Sequence, residues 1–324
     1  MKKKEGLVRV KVITFKDIVN MNISPVLCYE WVEEMLNRKK NCILPAKISI
    51  KPNDDSFCNI MPCMIPGENE ISIGGIKVVT RYPERIPSLD SKLMLFDAKK
   101  GDFLAIMDAN WITAMRTGAV AAHSIIRFAK KDFKNISILG LGNTARATLL
   151  VLASVMKDKQ FNVKLLKYKQ QEDLFVERFT NFDNIHFSFV DTYETLIKGA
   201  DVVISCATYF DADICSDEYF DPGVLVVPVH TRAFTTCDLF FDKVYADDIN
   251  HVKHFKNFEK FKYFSEVSDV LSGQNLGREN DDERILVYNI GIAIHDVNFA
   301  SHIYSNINDA LELDLKDPVD KFWV

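Results

Sequence analysis

The 324-residue sequence predicts an α/β protein: a doubly wound parallel sheet joined to a second, discontinuous α+β domain. Three observations carry this. In Lys134–Val155, KNISILGLGNTARATLLVLASV, a short apolar run turns through a pair of glycines into a helical pattern. Beyond it, strand-like and helix-like segments alternate, as βαβ units do. The chain is also longer than one core usually fills, which points to two domains.

Taken in order, a strand at Val8–Thr14 leads into a helical segment, Phe15–Arg38, with Ile18, Val19, Val26, Trp31, Val32, Met35 and Leu36 as core positions. Pro25 splits that segment into two helices. A strand-like run at Cys42–Ile50 and turn material at Lys51–Asp55 follow. Strands are then expected at Asn59–Met64, Ile71–Arg81, Lys92–Asp97 and Phe103–Asp108, with Gly74-Gly75 reading as a bulge or bend. These segments predict an antiparallel or mixed sheet with flanking helices. Helical spacing returns at Trp111–Phe128, where Ala114, Thr117, Gly118, Ala119, Ala121 and Ala122 are small enough to let the helix pass close to other backbone.

The next segment holds Gly140-Leu-Gly142-Asn143-Thr144-Ala145. Gly140 allows the tight turn, Gly142 leaves a pyrophosphate room to approach, and Ala145 lets the helix pack closely on the strand. The helix from Asn143, with Ala147, Leu150 and Val151 at its spacing, turns free N–H groups and its positive end toward the glycines. A second strand at Val163–Tyr168 arrives within one βαβ length, so a dinucleotide phosphate site is expected; a purely structural turn is the alternative. That second strand ends in Leu166-Lys167-Tyr168-Lys169, basic where NAD binding would want an acid. Lys167 and Lys169 therefore tilt the expectation toward NADP(H), unless both are simply solvated. Alternation continues through a helix at Glu172–Phe182, strand Ile185–Val190, helix Thr192–Ile197, and strands Val202–Cys206, Val224–Val229 and Lys243–Ala246. After strand Ile285–Tyr288, a helix over Ala293–Leu313 is expected to rejoin the first domain, giving 1–120 with 291–324 and 121–290 as the two domains.

Composition removes several function classes. A formal net charge of −5, with no Lys/Arg cluster interleaved with aromatics, excludes a broad nucleic-acid surface. No apolar run approaches the roughly 20 residues of a membrane span, and Arg9 and Lys11 interrupt the N-terminal apolar residues, against membrane insertion or secretion. Seven scattered cysteines without C-x-x-C spacing read as reduced thiols of a cytoplasmic protein. His251-x-x-His254 lacks a third ligand, so no metal site is expected.

The combination Met61-Pro62, Gly75-Ile-Lys77-Val-Val79, Leu95-Phe-Asp97, Met115-Arg116-Thr117-Gly118-Ala119, Gly140-Leu-Gly142 and Gly277-Arg278 with Asp282-Glu283 resembles the ornithine cyclodeaminase/mu-crystallin family, in family order from about residue 10 to residue 305. The resemblance implies a homodimer whose N-terminal domain makes the interface and holds a small amino or imino acid, with a Rossmann domain binding NAD(P). It implies an oxidoreductase in which hydride moves between nicotinamide C4 and the substrate α-carbon, the cofactor carrying the difficult step. A planar arginine with a second cation suits the substrate carboxylate. By resemblance these are Arg116 and Lys77, with Lys77 also a candidate for moving a proton and Lys47 a third cation where the family usually has arginine. Cys206, Ala207 and Thr208 are expected over the nicotinamide or pyrophosphate, and Thr117 at a phosphate, although both threonines also fit plain structural roles.

One departure bears on the reaction. Cyclodeaminases carry an aspartate after the strand matching Val224–Val229, whereas this chain reads Pro228-Val-His230-Thr-Arg232 and an ungapped alignment puts Arg232 there. A cation repels an ornithinium side chain and cannot act as the base. An amino-acid dehydrogenase or imine reductase is therefore the expectation, with ornithine cyclisation or a non-catalytic NADP(H)-binding crystallin as alternatives. His230 remains an acid/base candidate, and Arg232 suits a second substrate carboxylate.

Overall fold

The computed structural model of the chain describes residues 9–67, 72–207, 210, 213–229 and 239–315. It opens with β1 (Arg9–Ile13), α1 (Phe15–Asn20), α2 (Pro25–Arg38), β2 (Ile48–Ile50), β3 (Phe57–Ile65), β4 (Ile73–Arg81), β5 (Leu89–Asp97), β6 (Phe103–Asp108) and α3 (Asn110–Phe128). Next come β7 (Asn135–Leu139), α4 (Asn143–Val155), β8 (Phe161–Leu166), α5 (Gln171–Val176), β9 (Ile185–Val190), α6 (Tyr193–Ile197), β10 (Val202–Ser205) and β11 (Leu225–Pro228). The remainder is β12 (Lys243–Ala246), α7 (Ile249–Val252), β13 (Phe264–Glu266), α8 (Val267–Leu271), β14 (Ile285–Tyr288), α9 (Ala293–Asn306) and β15 (Leu311–Asp314). Two units result: one holds the chain up to Ile23, Arg38–Thr113 and the chain from Ile292; the other holds Ser24–Asn37 and Ala114–Gly291.

In the first unit a mixed seven-stranded sheet runs β15-β1-β6-β5-β4-β3-β2. The β1–β6 pair is parallel and the other pairs antiparallel. Thr14 starts α1 with a capping box, its hydroxyl accepting from Asp17 N at 3.3 Å and its own N–H donating to Asp17 Oδ2 at 2.8 Å. Helix α9 lies across β3, β4 and β5.

Three sequence expectations change here. Gly74 and Gly75 make no bulge. Both sit in an unbroken β4 ladder, opposite Met64 and Cys63, and the register shift lies instead between Leu95 and Phe96. The glycines serve close approach: a Cβ at Gly75 would stand 2.6 Å from Val297 Cγ2 of α9. The strand-like run at Cys42–Ile50 shrinks to β2 and one bridge, Ile43 with Met64, because Pro45 has no N–H for a ladder. The last helix stops at Asn306 rather than continuing to Leu313, because Ile307 turns extended (φ −88°, ψ 122°). Lys11 Nζ donates to the carbonyls of Tyr304 (3.4 Å) and Ile307 (2.9 Å) at that end, and the chain returns as edge strand β15 beside β1.

The second unit is an eight-stranded, all-parallel sheet in the order β13-β12-β14-β11-β10-β7-β8-β9. Strands β10, β11, β12 and β14 are buried along their whole length, as parallel strands covered on both faces must be. The order reverses at β7, which leads to β8 on one side and β10 on the other; such a switch point leaves a crevice at the strands' C-terminal ends. The small residues of α3 act as their size suggests: a Cβ at Gly118 would stand 2.4 Å from the Ala147 carbonyl carbon of α4. Helix α2 groups with this unit, as does α3 from Ala114 on, whereas the rest of the first 113 residues belongs to the other unit. The Tyr29 ring lies 5.4 Å from that of His123 on α3, tilted by 32°, and Glu33 pairs with Arg127, contacts between positions far apart in sequence.

Three expected outcomes follow for stability. Gly118→Ala forces backbone against backbone and is expected to destabilise by about 3 kcal/mol or more. Gly75→Ala meets chiefly the Val297 methyls, with the Met94 carbonyl oxygen next at 3.3 Å, and is expected to cost about 1–3 kcal/mol, less than additively when combined with Val297→Ala in urea unfolding. The third outcome concerns His123, whose ring nitrogens have no hydrogen-bond partner among the described residues. Burial, and then the Arg127 charge, lower its pKa from 6.5 to about 3. The folded value lies below the unfolded one, so this contribution is complete above pH 6.5 and is lost as pH falls toward 3. The loss reaches ~1.4 kcal/mol per pH unit, and urea midpoints of His123→Phe are expected to lack that component of the wild-type slope.

Candidate active site

Strand β7 delivers the chain into the crevice at Gly140, which takes φ +83° and has no room for a Cβ: the Cys206 carbonyl carbon and Ala207 N would each be 2.6 Å away. Cys206 N donates to Leu139 O at 2.8 Å, so β7 and the end of β10 lock together at this turn. Gly142 is the N-cap of α4, in ordinary extended backbone (φ −77°, ψ −173°), and no side chain caps the helix. Nothing lies within 4 Å of where its Cβ would be. Asn143 is exposed, Thr144 half-buried and Ala145 fully buried against the sheet. The result is an uncapped helix N-terminus with open space before it at the switch point, a donor set that fits paired phosphates.

Ser205 ends β10 buried, and Cys206 and Ala207 follow half-buried beside Gly140. Burial pushes the Cys206 thiol up to about 12, so it stays protonated and unreactive. Lys167 and Lys169 are both exposed just past the end of β8. Lys167 pairs with Asp191 at 3.0 Å, while Lys169 (φ +48°) lies over the Tyr168 ring at 5.0 Å.

Arg116 and Thr117, on α3, are each only 2% exposed. Thr208, His230 and Arg232 lie outside the described residues.

In the first unit Lys77 occupies the middle of β4 between Met61 and Leu93, with 0% exposure. Its Nζ donates to Asp296 Oδ1 at 2.7 Å and to Thr113 Oγ1 at 3.4 Å, and Thr113 passes its own hydroxyl hydrogen to Ser91 Oγ at 3.0 Å. Asp296, Thr113 and Ser91 escaped the sequence reading. One signal was available, since a lysine inside a strand needs a counter-charge and Asp296 is the acid in the first turn of α9. Burial, then the charges of Cys42 and Asp296, push the nearby Cys63 thiol well above its usual range, which argues against thiol chemistry. Lys47 is half-buried in the segment before β2. His251 is buried on α7, and no cluster of three metal-ligating side chains occurs among the described residues.

Of the sequence candidates, the structure gathers Gly140, Gly142, Asn143, Thr144, Ala145, Cys206 and Ala207 at one turn. It gives Lys77 a partner set in the other unit and leaves Lys167 and Lys169 on the surface.

The chain is 27% identical over 310 residues to the nodulation efficiency protein NfeD of Rhizobium meliloti, covering 91% of this chain and 94% of that protein. It is 28% identical over 295 residues to the N-((2S)-2-amino-2-carboxyethyl)-L-glutamate dehydrogenase of Staphylococcus aureus, covering 78% and 81%. Among solved structures, a dimeric archaeal alanine dehydrogenase with bound NAD superposes with a TM-score of 0.80 at 22% identity, over 94% of this chain and 99% of that one. The family model for ornithine cyclodeaminase/mu-crystallin matches residues 9–310, and the chain belongs to the ornithine cyclodeaminase/mu-crystallin family.

Proposed function

We propose that the protein is a nicotinamide-dependent oxidoreductase that moves a hydride between its cofactor and the α-carbon of an amino acid or the corresponding imine. The observation that carries this reading is the uncapped, side-chain-free N-terminus of α4 at Gly142, in a chain of this family. Its dehydrogenase relatives, one with bound NAD, support the same chemistry.

The cofactor supplies the hydride acceptor or donor when bound. The chain's residues do the rest. Backbone N–H groups of Gly142, Asn143 and Thr144 bind the two phosphates, Gly140 and Ala145 hold the turn close to the sheet, and Thr117, Cys206, Ala207 and Thr208 line the cofactor. Arg116 and Lys77 bind the substrate carboxylate, each buried and therefore strong as an electrostatic partner. Lys47 is the third cation of this set, His230 the acid/base group and Arg232 the contact for a second carboxylate. Lys167 and Lys169 favour NADP(H), for which the Lys167–Asp191 pair must open.

A homodimer fits the apolar side chains that the first unit exposes, among them Ile43, Ile48, Ile50, Leu89 and Ile106. The free thiols among the described residues suit the cytoplasm. No helix of the described residues is long and apolar enough to cross a membrane.

Three measurements test the reading. NAD(P)H absorbance and ammonia release are followed with L-alanine, L-glutamate and L-ornithine. Net reduction of cofactor is expected with a non-ornithine probe. Ammonia from L-ornithine without net cofactor change would make the protein a cyclodeaminase, and cofactor binding with neither would make it a binding protein. Gly142→Ala is expected to change unfolding free energy by under ~1 kcal/mol while weakening dinucleotide binding at least about tenfold. Titration of NADH and NADPH on the wild type is expected to give the lower dissociation constant for NADPH.

A further inference from the structure

The Lys77 ammonium and the Asp296 carboxylate meet at 2.7 Å with both side chains at 0% exposure. Asp296 stands in the first turn of α9, where the positive end of the helix also favours a carboxylate. Two features of β4 bring the pair together. Side chains alternate along a strand, so positions 75 and 77 face the same side. Gly75 has no Cβ, and one there would stand 2.6 Å from Val297 Cγ2, so the glycine lets α9 approach closely enough for Asp296, the neighbour of Val297, to reach Nζ. On a second side Thr113 accepts from Nζ at 3.4 Å and is itself anchored on Ser91 at 3.0 Å, both hydroxyls being buried.

We propose that Asp296 is a positioning residue for the reaction, acting through Lys77 to keep that lysine an oriented ammonium. The proposal rests on the oxidoreductase reading and deepens it. A neighbouring opposite charge favours the charged form of an amine, whereas a buried lysine without one sheds its proton. An ammonium has three donors and no lone pair, so it can hold a carboxylate but cannot act as a base. Asp296 thereby assigns Lys77 to gripping the substrate carboxylate. Two anchored N–H bonds also fix the end of a side chain that would otherwise sample many rotamers, and placement of the substrate to within a fraction of an ångström depends on such anchoring.

The test uses the full chain, with whichever of L-alanine, L-glutamate and L-ornithine turns over fastest, and with NADPH binding followed by fluorescence. Asp296→Asn is expected to lower kcat/KM about 100-fold, while the NADPH dissociation constant moves less than about threefold. Asp296→Glu, which keeps the charge, is expected to restore it to within about tenfold of wild type. In protein free of cofactor and substrate, isotope-labelled lysine is expected to show a Lys77 ammonium resonance at neutral pH, assigned with Lys77→Met and absent in Asp296→Asn. Should Asp296→Asn not fold, Asp296→Glu and Thr113→Val carry the test, each expected to lower kcat/KM about tenfold with NADPH affinity intact.

Unchanged kcat/KM, a loss of NADPH affinity that matches the loss of turnover, or a Lys77 resonance indifferent to Asp296 overturns the proposal. A wild type that turns over none of the probes defeats the oxidoreductase reading and leaves the resonance to decide the role of Asp296.

Discussion

Backbone brought closer than any side chain allows is the constraint on which this protein depends. At Gly140 the turn out of β7 lies against Cys206 and Ala207, with 2.6 Å where a Cβ would be, so the first and fourth strands of the parallel sheet meet without a side chain between them. Gly118 performs the same service between α3 and α4 at 2.4 Å. Together they seat α4 tightly and point its N-terminus into the crevice at the switch point. Free N–H groups attract anions only if nothing else occupies them, and here no side-chain cap competes. Packing and ligand chemistry are thus two results of the same missing atoms.

In the other unit a third close approach, Gly75 beneath Val297, has an electrostatic result. Burying an ammonium is tolerable only with a counter-charge in hydrogen-bond contact, and Asp296 supplies it because α9 lies so near the sheet. Such a pair adds little net stability compared with apolar side chains of similar volume. Its presence in the middle of a strand, among Met61, Leu93 and Leu95, is therefore better explained by chemistry than by folding.

In a nicotinamide-dependent oxidoreductase the cofactor carries the hydride, and the protein binds and orients the reactants. The two units of this chain suit that division. The parallel sheet leads into the uncapped N-terminus of α4, a set of backbone donors whose chemistry suits phosphate, and the mixed sheet holds a buried charged pair, Lys77 with Asp296.

Local pattern was enough for much of this. The apolar run Ile136–Leu139, the glycines after it and the 3.6-residue spacing of α4 mark their own structure, since each acts through atoms a few residues away. Strands β9, β12 and β14 were readable for the same reason, each a short apolar or alternating run between turns. The end of α9 was not, because β15 is a strand only by pairing with β1, and its residues Leu311–Asp314 are all exposed. Nor could local pattern assign α2 to the second unit, which depends on Tyr29 and Glu33 meeting His123 and Arg127. Lys77 was legible as a buried cation in an apolar strand, but its partner lies 219 residues away. Sequence alone determined which backbone turns and helices form, through short-range sterics and periodicity; only the tertiary structure decided which charges meet, because ion pairing depends on where distant segments return in space.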